Sequence, residues 1–216
     1  MILILIGFNC IATAMSMKLH FSAGATSYWW HDNSVSNPQA SFVGEPLPGI
    51  ELGAGTLFEH LDFVSFGLSL RYISKALRNA ILQADDDAIR SQFVNIRYRS
   101  FDIPGVVYFF TPFWQTKPYF KAGLYGMRTV SIKLTRPRYE SSSEIIMNSD
   151  FQKWELGSLA AIGVRWPAAH GDLALEFEYG RSFTRVNDSY GKNLRSVAMM
   201  LMLTYVPAWN LEGTGR

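Results

Sequence analysis

Apolar and polar residues alternate along most of this chain with a period of two, the signature of strands that have one oily and one mixed face. The clearest case is Phe101 to Met127, FDIPGVVYFFTPFWQTKPYFKAGLYGM. Two alternating runs flank a short turn-prone bend, which predicts a β-hairpin. In the first run Phe101, Ile103, Val107 and Phe109 share a face, opposite Asp102, Pro104 and Tyr108. In the second, Phe120, Ala122 and Leu124 oppose Tyr119, Lys121, Gly123 and Tyr125.

The same reading predicts eight strands, at 18–30, 48–58, 62–74, 93–110, 117–132, 151–166, 171–182 and 193–206. Connections 31–47, 75–92, 133–150 and 183–192 are long and polar, whereas 59–61, 111–116 and 167–170 are short. Long and short alternate strictly. An up-and-down barrel of the outer membrane has this layout, with short periplasmic turns, long outer loops and both chain ends on the periplasmic side. The expected fold class is therefore all-β: an eight-stranded antiparallel up-and-down transmembrane β-barrel.

One set of faces is almost free of charge: Leu19, Phe21 and Ala23; Ile50, Leu52, Ala54 and Phe58; Val64, Phe66, Leu68, Leu70 and Tyr72. It continues through Trp154, Leu156, Ala160, Ile162, Val164 and Trp166, then Leu173, Leu175, Phe177 and Tyr179, then Val197, Met199, Leu201, Leu203 and Tyr205. The opposite faces hold Lys18, His20, Glu51, Arg71, Asp102, Lys121, Glu155, Arg165, Glu176 and Glu178, interleaved with Gly53, Gly55, Gly67, Gly123, Gly157, Gly163 and Gly180. A soluble calycin-type barrel would alternate in the same way with its polar face in water, where recurrent glycine only weakens strands. In the narrow bore of an eight-stranded barrel, small residues beside large charged ones are what fits. The oily face is thus expected to meet lipid. Tyr28, Trp29 and Trp30 near one rim, and Phe110, Phe113, Trp114, Trp166 and Tyr205 near the other, are expected as interfacial girdles.

Composition narrows the classes further. Of 216 residues 48% are hydrophobic and 14% aromatic, enough for a core or for lipid contact, so disorder is not expected. The balance of 20 basic against 18 acidic residues gives no nucleic-acid footprint. Cys10 is the only cysteine, so no intramolecular disulfide and no cysteine metal cluster can form. Residues 1–14, MILILIGFNCIATA, are too short to span a bilayer and end in an A-x-A pattern, which predicts a signal peptide. The barrel is then expected over 15–206, with a tail over 207–216.

The inward charges nearly balance in sign, and a buried charge needs a partner. Glu51, Arg71, Asp102, Lys121, Glu155, Arg165, Glu176 and Glu178 are accordingly expected to pair across strands and close the bore, with no catalytic, cofactor or metal site. A hydrolase-like trio can be drawn from His20, Ser22 and Glu51, but lipid chemistry would need it at the lipid boundary and these residues face inward. Asp85-Asp86-Asp87 lacks the spacing and glycine of a calcium loop. Lys133, Arg136 and Arg138 could hold lipopolysaccharide phosphates or simply face solvent, and Asn187-Asp188-Ser189 reads as a loop tip. No phosphate loop, H-E-x-x-H or dinucleotide fingerprint occurs.

The pair FDIPGVVYF and KPYFKAGLYG resembles the central hairpin of the PorT-like outer-membrane β-barrels, and the likeness extends loosely over residues 18–206. The resemblance implies an outer-membrane barrel connected with a protein secretion system. Gly105 departs from it, standing where the family pattern has a bulky apolar residue, and VPAWNLEGTGR continues past Tyr205. The expected role is a non-enzymatic scaffold or secretion accessory. The alternatives are an adhesin-like surface barrel acting through loops 31–47, 75–92 and 133–150, or a lipid-modifying enzyme. Expected partners are outer-membrane lipids and lipopolysaccharide, the barrel-assembly machinery and secretion-system components, with no nucleic acid.

Overall fold

Alternating strands with one oily face leave an unpaired edge at each side of a sheet, and closure removes both edges. The computed structural model describes residues 16–32, 42–43, 45–61, 63–82, 92–111, 115–135, 154–185 and 194–208. These form β1 (Ser16–Asp32), a two-residue β2 (Phe42–Val43), β3 (Glu45–Leu61), β4 (Val64–Leu82), β5 (Gln92–Phe110), β6 (Lys117–Thr135), β7 (Trp154–Ala168), β8 (Gly171–Ser182) and β9 (Leu194–Pro207). Every long strand pairs antiparallel with the next, and β1 pairs with β9, so eight strands close into a barrel to whose rim β2 adds two residues. Following ladder partners from Lys18 through Leu57, Gly67, Val106, Gly123, Leu159, Gly180 and Ala198 returns to β1 at Tyr28. The ten-residue advance from Lys18 to Tyr28 sets a strand tilt of roughly 40°.

Several strands run beyond the expected limits. Residues 75–82, assigned above to a long loop, belong to β4; β3 begins at Glu45, β6 reaches Thr135 and β9 includes Pro207. Past the apolar belt the outward residues become Ser74, Ala76 and Arg78 while Ile73, Lys75 and Leu77 still turn inward and are buried. The backbone ladder therefore continues where hydropathic contrast has faded. Register shifts at Leu47/Ile50, Leu77/Ala80 and Arg99/Ser100 add to this, since each bulge resets which parity faces in. Val130 is exposed, and Ile132, of the same parity, is buried.

The outer face is apolar and exposed: Phe21, Leu52, Leu68, Leu70, Ile103, Phe120, Leu124, Leu156, Ile162, Phe177, Leu201 and Leu203 all stand on it. Val197, also on this face, is nevertheless buried, with Trp29 and Arg181 as its cross-strand partners.

Three of the residues expected in aromatic girdles lie elsewhere. Tyr28 and Trp30 are buried in the bore with Ile73, Leu77, Ile96, Tyr98 and Met202, and Phe110 is buried in a second cluster with Leu57, Tyr108 and Tyr119. Alternation explains this directly, because Tyr28 and Trp30 share the parity of Lys18 and His20 rather than that of Phe21. Of that group only Trp29, Trp166 and Tyr205 keep the outward parity; Phe113 and Trp114 lie outside the described residues.

The turn joining β7 to β8 places Gly171 at φ +155, where an added Cβ would stand 2.2 Å from the Val206 carbonyl oxygen. Gly171→Ala should therefore cost about 1–3 kcal/mol. The check is the urea concentration at which the heat-modifiable folded band is lost on electrophoresis; an unchanged midpoint would refute it.

Candidate functional site

The bore is filled in layers set by strand parity. At the short-turn end Arg165 donates to Glu59 (2.8 Å) and to Asp172 (Nε, 2.9 Å), and Lys18 pairs with Glu59 at 2.6 Å. These four line an open vestibule of about 650 Å³ with Ser16, Lys117 and Phe110 among its walls. Above it lies the aromatic cluster of Tyr108, Phe110 and Tyr119, whose ring centroids are 5.2–5.8 Å apart.

At the centre Arg71 on β4 donates through Nε and Nη2 to both oxygens of Asp102 on β5, at 2.8 and 2.7 Å, and through Nη1 to Glu178 on β8 at 2.7 Å. Lys121 on β6 completes the set, 2.5 Å from Glu176 and 2.9 Å from Glu178. Thr204 donates to the other Glu176 oxygen at 2.8 Å. All five ionic side chains are buried. A two-pronged guanidinium on one carboxylate with a third contact across the bore is a strong, directional arrangement, suited to a site where the alternative is an unpaired buried charge.

Of the eight residues singled out from the sequence, the structure joins Arg71, Asp102, Lys121, Glu176 and Glu178 in one network. Arg165 belongs to the vestibule instead. Glu51 accepts a hydrogen bond from Ser22 at 3.0 Å, and Glu155 accepts one from Ser196; neither is ion-paired among the described residues. His20 turns to Ser69 (3.0 Å) rather than to Ser22, so the Ser22–Glu51 contact lacks the imidazole that a hydrolase relay needs.

Sequence reading missed Glu59, Asp172 and Lys75. Glu59 and Lys75 share the inward parity of Glu51 and Arg71 and were lost only because their strands were ended early, while Asp172 shares that of Glu176 and Glu178. Lys75 lies 4.2 Å over the Tyr28 ring, with Nζ 3.0 Å from Met127 Sδ, so a buried cation is held by soft, weakly polar groups. Asp85-Asp86-Asp87, Arg136, Arg138, Asn187-Asp188-Ser189, Cys10 and the 1–14 segment lie outside the described residues.

Between the layers, among the described residues, the bore holds three small cavities of about 10–20 Å³, room for roughly one water each. Purified protein in planar bilayers should give no stable large conductance; sustained large steps would contradict this packing.

The exterior decides the surroundings. A closed barrel leaves no sheet edge, the charges at mid-height turn inward, and around the middle of the strands the outward rows form an apolar belt that water would strongly disfavour, with outward arginines only above it. The start of β1, Ser16 beside Glu59, and the end of β9, Pro207 beside Gly171, lie at the short-turn end, which is the periplasmic end of such barrels. This is an outer-membrane β-barrel.

No protein-family model matches the chain, and no curated protein matches it in sequence. Among solved structures the chain is similar to Neisserial surface protein A (14% identity, 87% of this chain and 96% of that one, TM-score 0.48). It is also similar to Ail, the attachment invasion locus protein of Yersinia pestis (9% identity, 88% and 98%, TM-score 0.44). A third similar structure is the translocator domain of the autotransporter NalP from Neisseria meningitidis (7% identity, 94% and 95%, TM-score 0.36).

Proposed function

We propose that this barrel is a non-enzymatic outer-membrane scaffold, a secretion accessory of the PorT-like kind. The observation behind the scaffold part of the reading is the central Arg71–Asp102–Glu178–Lys121–Glu176 network, which fills the bore at mid-height as a strut would, while the PorT-like part rests on the resemblance of the FDIPGVVYF and KPYFKAGLYG hairpin alone. A second feature favours the scaffold over an enzyme: His20, Ser22 and Glu51 face the bore, away from acyl chains, and make no connected relay.

An adhesin-like surface barrel is the second reading. It is favoured by β4, β5 and β6, which at 19 residues each exceed the 9–11 or so that a tilted strand needs to cross the bilayer, and so raise a wall above the membrane. Deleting the gene separates the readings. The scaffold reading expects a changed secreted proteome with unchanged lipid A mass and normal attachment to host cells and matrix. Normal secretion with lost attachment would replace it by the adhesin, and a shift in lipid A mass would replace both by an enzyme.

A further inference from the structure

The outward face of β5 and β6 changes chemistry abruptly along its length. Within the belt it is low: Gly105, Ala122 and Gly126 face outward, and a Cβ added at Gly105 would meet nothing within 4 Å. Phe66, Ile103, Val107, Leu124 and Leu156 stand around them, leaving an open apolar depression of about 670 Å³. Toward the long-loop end the same two strands carry Arg97, Arg99 and Arg128, all outward and exposed. On the tilted strand, Gly105 and Arg99 differ in height by about 15 Å.

The ladder sets Arg97 opposite Lys133 and Arg128 opposite Phe101, two residues from Arg99. Like charges facing each other on adjacent strands repel. Between Gln92 and Thr135 the only acidic residue is Asp102, and it is turned inward onto Arg71. None of the ion pairs among the described residues engages Arg97, Arg99 or Arg128; Lys133 has a contact of its own, and the site does not depend on it. The Arg128 guanidinium carbon lies 5.4 Å from the Trp154 ring centroid, fixing it at the upper edge of the belt. Guanidinium forks match phosphate oxygens, and here they border an apolar hollow rather than a polar cleft. A soluble anion would use the arginines and leave the hollow empty; a lipid uses both.

We propose that the β5–β6 wall is a binding site for a phosphate-bearing lipid of the surrounding leaflet. Its head group lies on Arg97, Arg99 and Arg128, and one acyl chain lies in the depression at Gly105 and Gly126. The proposal rests on the outer-membrane reading of the barrel. The test uses the full chain in nanodiscs of phosphatidylcholine doped with bisphosphorylated lipid A, extracted in mild detergent, with retained lipid counted by native mass spectrometry. Wild type should retain lipid A, and Arg97→Gln combined with Arg99→Gln should lower retention about tenfold, as loss of charge-assisted contacts implies. Gly105→Leu should lower it with all arginines present, because the leucine fills the hollow.

Equal retention by the double variant and wild type would overturn the proposal. So would full displacement of the lipid by inorganic phosphate, which would make the arginines a soluble-anion site. Both variants change exposed positions, and heat-modifiable migration confirms that they fold. Failure of the wild type to float with phosphatidylcholine vesicles would instead bring down the outer-membrane reading beneath it.

Discussion

Arg71→Ala should destabilise the barrel by about 3–5 kcal/mol, because it strands the buried carboxylate of Asp102 and takes one of two cations from Glu178, leaving Lys121 alone to face three acids. The cost is that of the orphaned charges rather than of the lost attraction. Arg71→Met combined with Asp102→Asn should consequently recover a good part of the loss, since it removes one orphan while keeping comparable volume. Reversible urea unfolding in lipid vesicles, followed by tryptophan fluorescence, measures both. If Arg71→Ala cost less than about 1 kcal/mol, the carboxylates would have to be solvated in the bore, and the strut reading would fall.

A second large effect is expected at Gly123. It points into the bore from β6, and an added Cβ would lie 2.1 Å from the Gly105 carbonyl oxygen and 2.8 Å from the Val106 Cα. Those are backbone atoms of the neighbouring strand, so relief requires moving the strand and not merely turning a side chain. Gly123→Leu should cost about 3 kcal/mol or more, or prevent folding. Gly105, on the adjacent strand but facing outward into open space, supplies the control: Gly105→Leu should leave the unfolding midpoint almost unchanged. Equal sensitivity at the two glycines would mean that the inward and outward assignments are wrong.

These two glycines also mark what sequence could and could not convey. Parity is a property of one strand, so the facing of Gly105, Arg71, Asp102 and Glu178 was legible from alternation alone, and the eight-strand count followed from spacing. Register is a property of two strands. Nothing in the sequence placed Arg71 against Gly53 and Asp102 while sending Arg165 to Glu59. Strand ends were misread where outward residues turned polar above the belt, as at Ser74 to Arg78, because hydropathic contrast reports the solvent while the ladder obeys the backbone. Tyr28 and Trp30 were misplaced for a different reason. Their position near a strand end suggests a girdle, whereas their parity, shared with Lys18 and His20, turns them into the bore.

The closing ladder between β1 and β9 joins residues as far apart as Phe21 and Tyr205, while every other ladder between long strands joins chain neighbours. Hairpins can therefore zip one after another, but the circle waits for a loop closure spanning most of the chain. The Arg71–Asp102 contact, 31 residues apart, belongs to the early, local part of that sequence; the Arg71–Glu178 contact, 107 residues apart, spans much of the chain. Until β8 arrives, Arg71 has one acid and Lys121 has neither of its two. The ion network thus acts in time as well as in space. It contributes little to a curled, open-edged intermediate and much to the finished ring, which makes closure cooperative and reopening at the β1–β9 seam slow.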